Sequence, residues 1–136
     1  MGLIEVDGET FEREVMTTDT PVVADFYADW CGPCKATAPT VRALARELVG
    51  QVRFVKVNID RSPELAQRFD VRSIPTFIRF DAGEVSRRVV GASSAAGLTT
   101  GLALSRGPEG LEPATPRARR WWPRRRRTVR QSTPRS

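Results

Sequence analysis

The feature that most constrains this chain is a join between two kinds of pattern. A dense apolar run, Val22-Val23-Ala24-Asp25-Phe26-Tyr27, leads within a few residues into Trp30-Cys31-Gly32-Pro33-Cys34-Lys35. The run has the composition of a central strand buried on both faces. Beyond Pro33 the pattern becomes helical, with Val41, Leu44, Ala45 and Leu48 at i, i+3, i+4 and i+7 and Gly50 to end the segment. Pro39 is expected to kink that helix. Both cysteines of the chain therefore sit where a strand gives way to a helix, close enough to close a disulfide across one turn. A bridge three residues apart constrains almost nothing in the unfolded chain. The pair reads as a reversible two-electron switch, not as a staple for the fold.

The rest of the sequence predicts an α/β domain. Leu3 to Val6 is a short candidate strand, and Phe11 and Val15 mark a short helix over Thr10 to Met16. Val52 to Ile59 alternates as a second core strand, and Ser62 and Pro63 open a short helix ending near Phe69, with Ser62 as N-cap. Thr76 to Phe80 and Val85 to Val90 flank Asp81-Ala82-Gly83-Glu84, a hairpin signal that makes them antiparallel neighbours. The expected architecture is a central mixed sheet of four to five strands with helices on both faces. A last helix over Ser93 to Ser105 is weakened by Gly97 and Gly101 and carries no charge from Ala92 to Leu104, so it is expected to be short or loosely docked.

At 136 residues and 40% hydrophobic content the chain has enough material for one core without cross-links. A lone Cys-x-x-Cys points to a reducing compartment, and the first residues lack a basic region followed by a long apolar stretch. The expectation is a cytoplasmic monomer. Zinc is disfavoured, since it takes about four ligands and the chain has no histidine and no second cysteine pair.

A thiol attacks only as its thiolate, so the first sulfur should be exposed and its pKa lowered. Cys31 at a helix N-terminus meets free N–H groups and the positive end of the helix dipole. Cys34, one turn further in, is expected to be the more buried. Asp25 is the anomaly of the strand: a carboxylate there is costly unless paired or protonated. In a chain without histidine it is the plausible base for the second thiol, the alternative being a structural acid paired with Lys56.

Asp25-Phe26, the Trp-Cys-Gly-Pro-Cys-Lys string, Pro39, Lys56, Asp60, Ile74-Pro75-Thr76, Gly83 and Gly91 together resemble the thioredoxin family, over about Leu3 to Ala103. The resemblance implies a thioredoxin fold and protein-disulfide reductase activity, with Cys31 attacking and Cys34 resolving. It assigns Asp25 the proton transfer, with Lys56 beside it. Pro75 would be a cis-proline facing the disulfide, with the backbone of Ile74 pairing with extended substrate. Trp30, Gly32, Pro33, Gly91 and Ala92 would complete the substrate rim. Implied partners are oxidised protein substrates and a separate thioredoxin reductase; no bound cofactor is implied beyond the Cys31–Cys34 disulfide. Tyr27 and Ser73 depart from the tryptophan and glycine frequent at those places in the family.

The charge divides the chain. Residues 1–106 hold 13 Lys and Arg against 14 Asp and Glu, while residues 107–136 hold nine arginines and two acids. Residues 1–105 are read as the domain and 106–136 as a disordered basic tail rich in arginine and proline. With Trp121-Trp122 the tail has the makings of a nucleic-acid or anionic-membrane contact, which would make the chain a non-catalytic binding module on this fold. The plainer reading is an extension without selected function, from a GC-rich coding region read past or out of its usual frame.

Overall fold

The computed structural model describes residues 3–104, so the tail expected at 106–136 lies outside the described residues. Five strands form one sheet: β1 (Ile4–Glu5), β2 (Val22–Tyr27), β3 (Arg53–Asn58), β4 (Thr76–Asp81) and β5 (Glu84–Val90). Their order is β1-β3-β2-β4-β5. β3 runs parallel to β1 and β2, whereas β4 is antiparallel to β2 and β5 to β4. The mixed sheet expected from the sequence is thus formed, with β2 at its centre.

Helices cover both faces. On one, α1 (Gly32–Glu47) and α3 (Ala95–Gly101) bury Val41, Leu44, Leu98 and Leu102 against Val23, Phe54 and Phe77. On the other, the turn Glu12–Met16 and α2 (Pro63–Arg68) bring Phe11, Val15 and Leu65 onto Ala24, Phe26, Val55, Ile78 and Phe80. Alternate residues of β2 and β4 serve opposite cores, which explains why both strands read as continuous apolar runs. Glu12–Met16 is a π-helical turn, closed by the Thr17 amide donating to the Glu12 carbonyl at 3.0 Å.

Two local expectations change, and a third feature concerns a residue about which the sequence carried no expectation. Ser62 precedes α2 as expected, but its side chain makes no capping bond; it is buried, and its amide donates to the Asn58 carbonyl at 2.8 Å. The last helix is short but firmly docked: Leu98, Leu102 and Leu104 are all buried. Gly101 is part of the reason, since a Cβ there would stand 2.5 Å from Val89 Cγ2. The third is Arg79, in the middle of β4, which is 0% exposed. Its guanidinium donates to Asp81, also buried, and to the carbonyls of Leu102 and Ala103 at 3.0 and 2.8 Å. A cation on the last carbonyls of a helix satisfies acceptors that no further turn would reach.

The β4–β5 connection is a two-residue hairpin. Ala82 and Gly83 both have positive φ, 51° and 82°, the geometry of the turn whose twist suits two antiparallel strands.

Candidate active site

α1 starts at the carboxyl end of β2, the end at which β3 also finishes, so the cysteine string sits at one pole of the parallel part of the sheet. Cys31 is the N-cap of α1. Its sulfur accepts the Cys34 backbone N–H at 3.1 Å, and its carbonyl accepts that of Lys35 at 3.1 Å. Pro33 in the first turn forfeits only an N–H that would lack an intrahelical partner. Cys31 and Cys34 are joined as a disulfide with their Cα atoms 5.2 Å apart. The expectation that Cys34 is the more buried fails in this oxidised form: Cys31 is 4% exposed and Cys34 7%. Nor is Cys31 the exposed sulfur that was expected: both cysteines sit in one buried cluster with Ala28, against Tyr27, Ile59 and Ile74, and exposure does not distinguish them.

Across from the disulfide, the Ile74–Pro75 peptide is cis, as the resemblance implied. The Ile74 carbonyl oxygen lies 4.0 Å from Cys31 Sγ. Gly91, with φ of 99°, donates its N–H to the Pro75 carbonyl at 2.8 Å and so ties the end of β5 to this loop. Gly32, Pro33 and Ala92 are exposed near the string and the loop respectively. Trp30 is 66% exposed, and its indole N–H donates to Asp60 Oδ2 at 2.8 Å. That bond fixes an apolar plate beside Cys31; Asp60 supplies it, a contribution that the sequence did not disclose.

Asp25 lies behind the disulfide. A pocket of about 170 Å³ is lined by Asp25, Cys34, Ala38, Val41, Tyr27 and Lys56 among others, so the carboxyl and the second cysteine face one space. Asp25 is 8% exposed and its Oδ1 has no hydrogen-bond partner. Burial pushes its pKa up to about 7, against the opposing pull of the Lys56 ammonium. The group is therefore poised to change charge near neutral pH.

Lys56 is the register partner of Asp25, but its ammonium rests over the Tyr27 ring, 4.9 Å from the centroid. The Tyr27 hydroxyl in turn donates to Glu5 Oε1 at 3.0 Å, and Arg61 grips both oxygens of Glu5. None of Glu5, Tyr27 and Arg61 stood out as a site residue in the sequence. The available signal was that Glu5 and Lys56 are the polar positions of two strands that the fold sets side by side.

Residues 2–103 match the thioredoxin family model. The chain belongs to the thioredoxin family. It is 44% identical over 88 residues to Thioredoxin 1 of Nostoc sp., covering 65% of this chain and 82% of that protein. The thioredoxin of Streptomyces clavuligerus is 44% identical over 96 residues, 71% of this chain and 89% of its own length. The bifunctional thioredoxin reductase/thioredoxin of Mycobacterium leprae is 42% identical over 99 residues, which cover 73% of this chain but 22% of that protein. With a Cys-x-x-Cys disulfide at the start of α1 in this fold, the thioredoxin domain is a thiol–disulfide oxidoreductase. Among the described residues no cluster of His, Cys, Asp and Glu is set to hold a metal ion, and no helix is long and apolar enough to cross a membrane.

Proposed function

We propose that the chain reduces protein disulfides, with Cys31 as the attacking sulfur, Cys34 as the resolving sulfur and Asp25 as the proton acceptor. The observation that carries this reading is the N-cap position of Cys31, whose sulfur accepts an amide N–H at the positive end of α1. In the dithiol form, the Cys31 thiolate attacks one sulfur of the substrate disulfide. A mixed disulfide forms and the other substrate sulfur leaves as thiolate. Cys34 then gives its proton to Asp25 and attacks Cys31 Sγ. The Cys31–Cys34 bond forms, the mixed disulfide breaks, and the substrate is left with two thiols. Two electrons have passed from protein to substrate.

Lys56 sets the charge environment of Asp25. Trp30, Gly32, Pro33, Ile74, Pro75, Gly91 and Ala92 form the substrate rim, and extended substrate pairs with the backbone of Ile74. A flat rim with backbone pairing reads little side-chain detail, which suits many oxidised protein substrates. A separate thioredoxin reductase returns the disulfide to the dithiol; the fusion of the two activities in the Mycobacterium leprae relative supports that partner. Two cysteines devoted to one exchange motif suit a reducing, cytoplasmic setting. The chemistry belongs to residues 1–105, and residues 106–136 take no part in it.

Reduction of insulin disulfides by the full chain, with a chemical dithiol as electron source, tests the activity. Acceleration that is lost in Cys31→Ser is expected, and Cys34→Ser should accumulate a mixed disulfide on Cys31 detectable by mass spectrometry. An intact protein that leaves insulin oxidised yet binds polyanions at low salt would establish the binding-module reading instead.

A further inference from the structure

Glu5, Lys56 and Asp25 occupy one rung of the sheet. Glu5 is the register partner of Lys56 across β1 and β3, and Lys56 is that of Asp25 across β3 and β2. In-register neighbours project to the same face, so one ammonium stands between an exposed and a buried carboxylate. Tyr27, two residues beyond Asp25 on β2, shares that face.

The ammonium is not shared evenly. Lys56 Nζ sits over the Tyr27 ring, whose hydroxyl is bonded to Glu5, while Asp25 Oδ1 is left without a partner. Arg61 holds Glu5 through Nε to Oε2 at 2.9 Å and Nη2 to Oε1 at 3.0 Å, which fixes Glu5 as an anion at the sheet edge. A lysine attracted by a carboxylate and by the aromatic ring bonded to that carboxylate is drawn toward both.

We propose that Glu5 is a positioning residue for the exchange reaction, drawing the Lys56 ammonium toward the Tyr27 ring and away from Asp25. Facing Lys56 across the pocket but not ion-paired with it, the buried carboxyl feels only a partial opposing pull and keeps the proton affinity that lets it accept the Cys34 proton near neutral pH. The inference rests on Asp25 being that acceptor. Other charged groups facing the same pocket are Asp29 just beyond the end of β2 and Lys35 and Arg42 on α1. None of them is on the rung.

Removing the Glu5 charge has one sign by every route. It deletes an anion two strand spacings from Asp25, frees Lys56 to approach, and leaves the Arg61 charge uncompensated. All three favour ionised Asp25. Across about 10 Å, and for effective dielectric constants from about 20 to 80, loss of one charge shifts a neighbour by roughly 0.3 to 1 pH unit.

The test is a carbon-13 NMR titration of the aspartate carboxyls in the oxidised full-length protein, with Asp25→Asn identifying the resonance. In Glu5→Gln the Asp25 midpoint should fall by roughly 0.3 to 1 pH unit, and in Arg61→Gln it should rise. An unmoved or raised midpoint in Glu5→Gln overturns the proposal; a merely structural role for Glu5 would change the urea midpoint and leave the titration in place. Stopped-flow measurement of Cys34 resolution against pH checks the foundation separately. In the wild type and in Glu5→Gln the rate profile should follow the Asp25 titration of each. A wild-type profile indifferent to that titration refutes the proton-acceptor role itself.

Discussion

Asp25→Asn should make this protein more stable, relative to the wild type, as pH rises, and the structure gives both sign and size. The ordinary carboxyl value is 3.8 and the folded value about 7, raised chiefly by burial. Between those values the folded state holds a proton that the unfolded chain has released. Wild-type stability therefore carries no penalty from Asp25 below about pH 3.8, and falls as pH rises until the folded group has ionised above about 7. At about 1.4 kcal/mol per pH unit the full loss is on the order of 4 kcal/mol, a large share of the stability of a domain this size. An amide at position 25 cannot ionise and escapes the loss. It still leaves a polar atom unpaired where Asp25 Oδ1 is unpaired now, which adds a constant offset at all pH values. Carboxylates held low by their partners, such as Glu5 with Arg61 and Glu14 with Arg13, lose stability as pH falls, but they do so equally in both proteins and cancel in the difference. Urea unfolding of both oxidised proteins followed by circular dichroism, at several values from about pH 4 to about pH 9, gives the comparison. The stability difference should widen in favour of Asp25→Asn by about 4 kcal/mol across that range. A difference that stays constant with pH would show that Asp25 ionises freely in the fold, and would remove the physical basis for its role as a base.

Three further outcomes follow from other parts of the molecule. Arg79→Met leaves Asp81 as an uncompensated buried charge and strips donors from the Leu102 and Ala103 carbonyls; it should cost about 3 to 5 kcal/mol, with Asp81→Asn added to it restoring part, and a loss below about 1 kcal/mol in urea unfolding would contradict the burial of the pair. Trp30→Ala, which removes an exposed plate and its bond to Asp60, should raise KM for a protein disulfide while changing stability by no more than about 0.5 kcal/mol; an unchanged KM would take Trp30 out of the substrate rim. Truncation after Ser105 should leave insulin reduction intact and abolish any polyanion binding, and a truncated protein that folds but no longer reduces insulin would show that the tail contributes to the chemistry.

Most of the site is legible in the order of the residues. The string Trp30 to Lys35 announces a thiol pair, the apolar run ahead of it announces a buried strand, and the conflict between that run and Asp25 marks an acid under strain. These signals are local, because a strand, a helix start and a two-residue turn each depend on a few adjacent residues. Arg79 is not legible for a converse reason. Between Ile78 and Phe80 a guanidinium reads as a solvent-facing position, whereas β4 is buried along its whole length and the charge is satisfied by carbonyls more than twenty residues away. Exposure misleads as well: with the disulfide closed, Cys31 is as deeply buried as Cys34.

The sequence alone determined that this chain carries a reversible disulfide at the head of a helix, and that a buried acid lies nearby on the preceding strand. Periodicity, a proline in the first turn and the spacing of the cysteines suffice for that, since each acts over a turn of helix or a pleat of strand. Only the tertiary structure decided what surrounds the pair. It set Ile74 and the cis Pro75 opposite Cys31, brought Cys34 and Asp25 to one pocket, and aligned Glu5, Lys56 and Asp25 on a single rung. Strand register is fixed by two cores closing on opposite faces of the sheet at once, and no local pattern encodes which side chain of a distant strand that closure leaves alongside.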